Sequence, residues 1–435
     1  MKIQLRNIND CNHFSIYQNF NNKYIETKYK NIESKLYYIL IDNTICGIIG
    51  TNNYVKHDKY MLFYYLSNEY NLKIHQKIFH QFIKQLSNIT ISTLHIVINN
   101  SFIKLFKSIG FIFEHSINSE YSILKYHINL HHVLKYNYPY NKYFTSIEQI
   151  NEKLVKLSNY KAKFIHGNSS KFVDKTSIKI DYNVEKHIND ITDYFTDKCR
   201  VKALFKTSKY TPFEYYQENK GEIIFSSLKN NKFNFNLFEE KMFFNNKAKF
   251  CNNFQPTIAI TLYKLFNAKS VFDSSAGWGD RLIAAIAANI KYTGVDPSTC
   301  LKPYYQNIIN TLAKDPTKYK IINTGIEDVK VEDEDLYDIT CSSPPFYDLE
   351  IYNDDNTQSI TNYTSQEDWE RKFLITLVEQ NISVLKPNGY LILYIPLYPI
   401  FMKYMTEHDK LDYKGIFTFI TTRKRNIMVW QKISK

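Results

Sequence analysis

The stretch Val271–Ala285 reads VFDSSAGWGDRLIAA and places two glycines, Gly277 and Gly279, within three residues. The whole chain holds only 11 glycines in 435 residues, about a third of the usual ~7% share. An apolar run precedes the pair and a run of good helix formers follows it. That order predicts a buried strand, a sharp turn and a helix. Glycine is selected where a chain turns tightly or where a ligand must come close to backbone. Outward from this stretch the same alternation repeats over residues 251–435. KSVFDSS, KYTGVDPS, YKIINTGIED, LYDITCSSPPF and GYLILYIPL read as strands. DRLIAAIAANI, KPYYQNIINTLAK and QEDWERKFLITLVEQNISVLK read as helices between them, and FTFITTRKRNIMVWQK as a closing antiparallel pair. Strand–helix alternation implies a doubly wound α/β sheet with helices on both faces. Ligands bind such sheets beyond the carboxyl ends of the strands.

The strand ends carry the informative residues. Asp273-x-x-Ala276-Gly277-x-Gly279 at the first strand end resembles motif I of the class I S-adenosylmethionine-dependent methyltransferases. It departs from the dinucleotide pattern G-x-G-x-x-G, because Leu282 stands where the third glycine would be. The resemblance implies a Rossmann-like methyltransferase sheet and S-adenosyl-L-methionine as cofactor. It implies a cofactor loop of Asp273, Ala276, Gly277, Trp278, Gly279, Asp280 and Arg281. The second strand ends in Asp296-Pro297, an acid placed to accept from ribose hydroxyls. The third ends in Glu327-Asp328, where an acid or its backbone can meet the adenine amine. Asn253-Phe254-x-Pro256, just before the first strand, resembles the motif that contacts the methionine end of the cofactor.

The fourth strand ends in Ser342-Ser343-Pro344-Pro345-Phe346. Ser343-Pro344-Pro345-Phe346 resembles the (Asp/Asn/Ser)-Pro-Pro-(Tyr/Phe/Trp) motif of amino-methyltransferases. An exocyclic amine is a poor nucleophile, because its lone pair is delocalised into the ring. Ser343 Oγ and the Pro344 carbonyl are expected to accept from its N–H bonds and aim that lone pair. Phe346 is expected to stack on a base turned out of its duplex. Carbon methylation of cytosine would need a Pro-Cys nucleophile, and the chain has none. Over residues 181–435 the runs AGWGDRL and SSPPFYDLEIY resemble phage and large-virus DNA amino-methyltransferases. Asp280, Arg281, Asp348 and Glu350 belong to these runs as cofactor-loop or substrate-pocket groups. Serine stands where Asp or Asn is commoner, so adenine N6 and cytosine N4 both stay open.

Residues 1–130 resemble the GCN5-related acetyltransferase fold. YYILIDNTICGIIGTNNY reads as two strands around Asp42-Asn43, and a helix carries Ile74, Ile78, Phe79, Phe82, Ile83 and Leu86 on one face. NNSFIKLFKSIGFIFE then reads as a helix leading through Gly110 into a strand. The loop SNEYNLKIHQ holds no glycine where that family grips a pyrophosphate, so an α+β module without acetyl transfer is expected. Residues 131–180 read as a connector, and 181–250 as a helical, aromatic and basic region. There Arg200, Lys202, Lys206 and Lys209 interleave with Phe195, Phe205, Tyr210, Phe213 and Tyr215. Those rings would either stack on bases or form a helix core.

The formal charge is +12, and it is uneven. Residues 1–150 carry 16 Lys/Arg against 9 Asp/Glu, residues 151–250 carry 19 against 12, and the remainder carries 20 against 22. A basic front half suits nucleic acid as partner, DNA ahead of RNA. Only about 90 residues follow Phe346, so target recognition is expected from the front half. The six cysteines form no C-x-x-C pair, so reduced thiols in an intracellular protein are expected. Adjacent His131 and His132 do not share a helix face, and no metal is expected. No signal peptide or membrane span is visible. Three other readings stay open at this level: an RNA base methyltransferase, a glutamine-amide methyltransferase and a non-catalytic nucleic-acid-binding module.

Overall fold

The computed structural model describes residues 3–7, 34–41, 44–54, 59–66, 71–86, 93–165, 177–179, 188–230, 232–329, 337–352, 356–420 and 424–433. It divides into two compact units. The first is Met1–Pro139 with Phe213–Asn245, and the second is Tyr140–Pro212 with Asn246–Lys435.

The first unit holds a seven-stranded sheet: β1 (Ile3–Asn7), β2 (Ser34–Ile41), β3 (Thr44–Tyr54), β4 (Lys59–Leu66), β5 (Thr93–Asn99), β6 (Ile112–Ser116) and β7 (Tyr121–His127). The spatial order is β1-β2-β3-β4-β5-β7-β6. Its one parallel contact, β4 with β5, spans only the pairs Tyr60↔Leu94 and Met61↔His95. β3 and β4 pair along eight residues, so the sheet opens between β4 and β5. The expected amphipathic helix runs Leu72–Gln85 between those two strands and buries Ile78, Phe79, Phe82 and Ile83. Asp42-Asn43 lies outside the described residues. Gly110 closes the helix Ile103–Ile109 at φ +119. The helix Pro212–Ser226 packs its Gly221 on that turn; a Cβ there would fall 2.3 Å from the Gly110 carbonyl oxygen. A short hairpin, β11 (Leu228–Lys229) and β12 (Lys232–Phe233), and the helix Phe235–Phe243 follow in this unit.

The second unit begins before the expected boundary at 251. Residues 140–212 build into it, so the regions 131–180 and 181–250 are not separate pieces. The helix Ile147–Ser158, started by a Ser146/Gln149 capping box, sinks Ile150 and Leu157 into the core. Strands β8 (Lys163–Ile165) and β9 (Ser177–Lys179) extend the main sheet, and β10 (Leu204–Phe205) is considered below. The sheet proper contains β13 (Ser270–Asp273), β14 (Lys291–Val295), β15 (Tyr319–Ile322), β16 (Tyr337–Ser342), β18 (Leu385–Leu393), β19 (Leu411–Ile420) and β20 (Lys424–Lys432). The edge segment β17 (Glu350–Ile351) pairs instead with β10.

The order is β15-β14-β13-β16-β18-β20-β19-β9-β8. From β15 to β18 all pairs are parallel, and β20 runs antiparallel to both β18 and β19. This is the Rossmann-like, doubly wound sheet with closing antiparallel strands. β13 is buried at all four residues, as a central parallel strand must be. The order reverses direction between β13 and β16, which opens a crevice at their carboxyl ends.

Cysteine usage departs from expectation. Cys199 and Cys300 form a disulfide across 101 residues of chain, joining the helix Ile191–Arg200 to the segment after β14. Cys251 and Cys341 are free and buried. Spacing along the sequence gave no sign of a pair that only the fold brings together. Non-reducing peptide mapping should recover Cys199 and Cys300 in one linked pair; two separately alkylated peptides from unreduced protein would contradict it.

Candidate active site

A cavity of about 210 Å³ opens at the carboxyl ends of β13, β14, β15 and β16. Its floor is organised by Asp273, which is wholly buried. Oδ2 accepts from Arg281 Nε at 2.7 Å and from Tyr292 OH at 2.6 Å. Oδ1 accepts from Ser342 Oγ at 3.0 Å and from the Ser275 N–H at 3.3 Å. One carboxylate thus ties together the end of β13, the following turn and helix, β14 and the end of β16. Both oxygens are occupied by the protein, which makes Asp273 the support of the loop. The Arg281 guanidinium also donates to the Ser275 carbonyl and lies 4.8 Å over the Phe254 ring.

The turn beyond Asp273 has the backbone that its glycines permit. Gly277 sits at φ +60 and Gly279 at φ +98. A Cβ on Gly279 would meet Ile308 Cδ1 at 3.0 Å, so both conformation and space select glycine there. The Ala276 N–H donates to the Val295 carbonyl at 2.8 Å and holds the turn on β14. Asp296 Oδ2 accepts from the Gly277 N–H at 2.8 Å, and Oδ1 from the Ser298 N–H at 3.0 Å. Asp280 opens the next helix and accepts from Thr192 Oγ1 at 2.8 Å. Burial pushes the carboxyls of Asp296 and Asp280 each up to about 6.

The facing wall follows β16. Ser343, Pro344, Pro345 and Phe346 all line the cavity. Among the described residues Ser343 Oγ makes no protein hydrogen bond. Tyr347, at φ +47, turns the chain away, a conformation seldom adopted by a bulky residue and frequent at functional loops. Phe346 meets Tyr394 edge-on at 5.5 Å, and Tyr394 follows the neighbouring strand β18. Arg425 on β20 lies 5.8 Å from the Tyr394 ring and donates to the carbonyls of Asn253 and Phe254 at 2.9 and 3.1 Å. Trp278 and Tyr352 meet edge-on at 5.6 Å. Glu350 accepts from the Asn252 N–H at 3.2 Å, and burial raises its carboxyl above the ordinary range.

Of the residues singled out in the sequence, Asn253, Phe254, Gly277, Trp278, Asp280, Arg281, Asp296, Pro297 and Glu327 line the cavity with the Ser343–Phe346 run. Pro256, Asp273, Ala276, Gly279 and Asp328 are not among its lining residues. Pro256 starts the helix Pro256–Leu265, and Asp328 ends the short turn Ile326–Asp328. Glu327 Oε1 accepts from Tyr363 OH at 2.8 Å. Asp348 pairs with Lys206 at the rim. Arg425, Tyr352, Tyr394 and the Cys199–Cys300 pair also line the cavity, outside the motifs the sequence shows. Tyr394 had a usable signal: it directly follows a strand parallel to and beside β16.

The helix Ile191–Arg200 is part of the site. Besides Thr192, its Asp193 accepts from Asn253 Nδ2 at 3.0 Å and pairs with Arg200 at 2.6 Å. Among the described residues no cluster of three or more His, Cys, Asp or Glu could hold a metal, and no helix is long and apolar enough to cross a membrane.

No protein-family model matches this sequence, and no curated protein is found similar to it. Solved structures are similar in fold. TrmN from Thermus thermophilus shares 12% identity over 41% of this chain and 49% of that chain, with a TM-score of 0.32. The chain therefore spans about half the length of TrmN. An rRNA methylase from Streptococcus thermophilus shares 10% over 42% of this chain and all of that chain, TM-score 0.31. The 1,6-didemethyltoxoflavin-N1-methyltransferase of Burkholderia thailandensis, solved with bound 1,6-didemethyltoxoflavin and S-adenosylhomocysteine, shares 10% over 41% of this chain and 78% of that chain, TM-score 0.30. The fold assignment rests on the strand order itself.

Asp273→Ala should lower stability by about 3–5 kcal/mol, because it leaves the buried Arg281 charge without its partner. Chemical denaturation checks this; a stable variant that merely binds ligand less well would contradict the supporting role.

Proposed function

We propose that the second unit is an S-adenosylmethionine-dependent methyltransferase acting on an exocyclic amine of a DNA base, adenine N6 or cytosine N4. The observation that carries this reading is the meeting of two motifs in one cavity. The Gly277 turn with Asp296 forms one wall, and Ser343-Pro344-Pro345-Phe346 forms the other. The residues present fit such a cofactor. Its methionine ammonium needs acceptors, and Asp280 stands in the lining while Asn253 Oδ1 is buried without a partner. Its ribose hydroxyls suit the Asp296 carboxylate, whose oxygens keep acceptor capacity beyond the two N–H groups they already hold. Ile326 and Glu327, after β15, offer an apolar face and an acceptor to an adenine.

When bound, the cofactor supplies an electrophilic methyl group on a sulfonium. The protein's part is positioning. Ser343 Oγ and the Pro344 carbonyl accept from the two N–H bonds of the target amine and hold its lone pair toward the methyl. Consecutive prolines fix φ and restrict the backbone before each, so the Pro344 carbonyl has little freedom before substrate arrives. Phe346, braced edge-on by Tyr394, presents a ring for the extruded base. Orientation of two reactants supplies much of the rate, and no strong base is required as sulfonium charge is discharged.

The first unit supports a recognition role in this reading. Its sheet opens between β4 and β5 with a helix connecting them, and the first 150 residues carry a basic surplus. We assign it to target recognition without acetyl transfer.

Ser343→Ala should lower turnover by tenfold or more while cofactor affinity stays within a few-fold. Equal activity of the variant would remove Ser343 from the mechanism. The raised carboxyls give a pH dependence. Between the usual 3.8 and about 6, folded Asp280 and Asp296 hold protons that the unfolded chain has lost, so stability of the free protein falls as pH rises through that window. Ionised Asp280 is needed to hold the ammonium and ionised Asp296 to accept from both ribose hydroxyls, so cofactor affinity by calorimetry should rise from pH 5 to 7. Asp296→Asn should flatten that rise; an affinity independent of pH in the parent protein would contradict the assignment.

A further inference from the structure

We propose that a lysine-bearing strap, residues 202–209 laced to 247–249, is the surface on which the phosphate backbone of the substrate strand runs to the cavity. The proposal rests on the nucleic-acid reading above and adds the place of contact.

The strap is attached to the catalytic loop by backbone. β10 pairs with β17 through Leu204↔Ile351 and Phe205↔Glu350. The Lys206 N–H extends the ladder to the Leu349 carbonyl at 2.8 Å. Leu349 and Glu350 line the cavity, three and four residues after Phe346. A second segment is laced to the first. The N–H groups of Lys209 and Tyr210 both donate to the Lys247 carbonyl, at 3.1 and 3.2 Å, and the Lys249 N–H donates to Ser208 Oγ at 2.9 Å. Four lysines, 202, 206, 209 and 247, are exposed along this strap. The main chain of the strap is held by these bonds.

The rings of this region are not a stacking platform. Lys209 Nζ lies 5.0 Å from the Tyr210 centroid and Lys249 Nζ 5.8 Å from that of Phe205, so cations already stand over those rings. Phe195 is buried, and Phe213 and Tyr215 belong to the first unit. What the strap offers a ligand is positive charge beside a cavity shaped for a base. That combination fits a phosphodiester backbone, which binds cationic side chains through counterion release. Asp348 holds Lys206 in an exposed ion pair, the weak kind that a phosphate can replace.

The test uses the full chain and a fluorescent DNA duplex of about 20 base pairs, titrated across salt concentrations. Wild-type binding should weaken linearly on logarithmic axes. The combined Lys206→Gln, Lys209→Gln, Lys247→Gln variant should lose about 2–3 from that slope and at least tenfold in affinity near 0.1 M salt. Asp348→Asn should tighten binding, the opposite sign from a folding defect. Cofactor affinity should stay within twofold in both variants. A combined variant with the parental slope and affinity would overturn the strap and leave the methyltransferase reading standing. Competition by polyglutamate as strong as by DNA would overturn it in favour of an acidic peptide. A wild-type chain that methylates some other substrate and does not bind DNA would overturn both.

Discussion

The hydrogen bonds converging on the Asp273 carboxylate hold the site together. Its donors come from the helix after β13, from β14 and from the end of β16. A buried carboxylate is tolerable only when it is fully paired, and here the partner Arg281 is itself 3% exposed. The arrangement has a consequence for shape. The Gly277 turn and the Ser343–Phe346 loop belong to strands on opposite sides of the switch point. Asp273 fixes the distance between their roots, and so the width of the cavity. The chemistry proposed for the cavity needs that distance held, because its catalytic power is orientation.

A second constraint comes from outside the alternating core. The helix Ile191–Arg200 contributes Thr192 to Asp280, Asp193 to Asn253 and Cys199 to Cys300. Each contact reaches a segment that lines the cavity. The site is therefore built by residues 188–210 together with the sheet, and the second unit would be incomplete from 251 onward. The same stretch continues into β10, which meets β17 just after the Ser343–Phe346 loop. One excursion of chain thus braces the Asp280 and Asn253 wall of the cavity and reaches the segment that follows Phe346.

Much of this was legible in the sequence. Strand–helix alternation located β13 to β20, because buried parallel strands and amphipathic helices differ in period and in flanking residues. Gly277, Asp296 and Ser343–Phe346 were legible as cavity-lining residues because the strand ends of a doubly wound sheet face its crevice. The rest depended on contacts far apart in sequence. Nothing local marks Arg425, 172 residues from Asn253, or Cys199 and Cys300 as partners. Asp273 was expected to touch the cofactor; its position at the strand end was legible, but not that four internal donors would use its oxygens. The 131–180 segment looked like a connector because its two β-strands are only three residues each, too short to show alternation.

The most direct measurement is methyl transfer from labelled cofactor to unmodified DNA and RNA, followed by digestion to nucleosides and mass spectrometry. The account predicts label on an exocyclic amine in DNA, as N6-methyladenine or N4-methylcytosine. Label confined to RNA, to a ring carbon or to protein would contradict it.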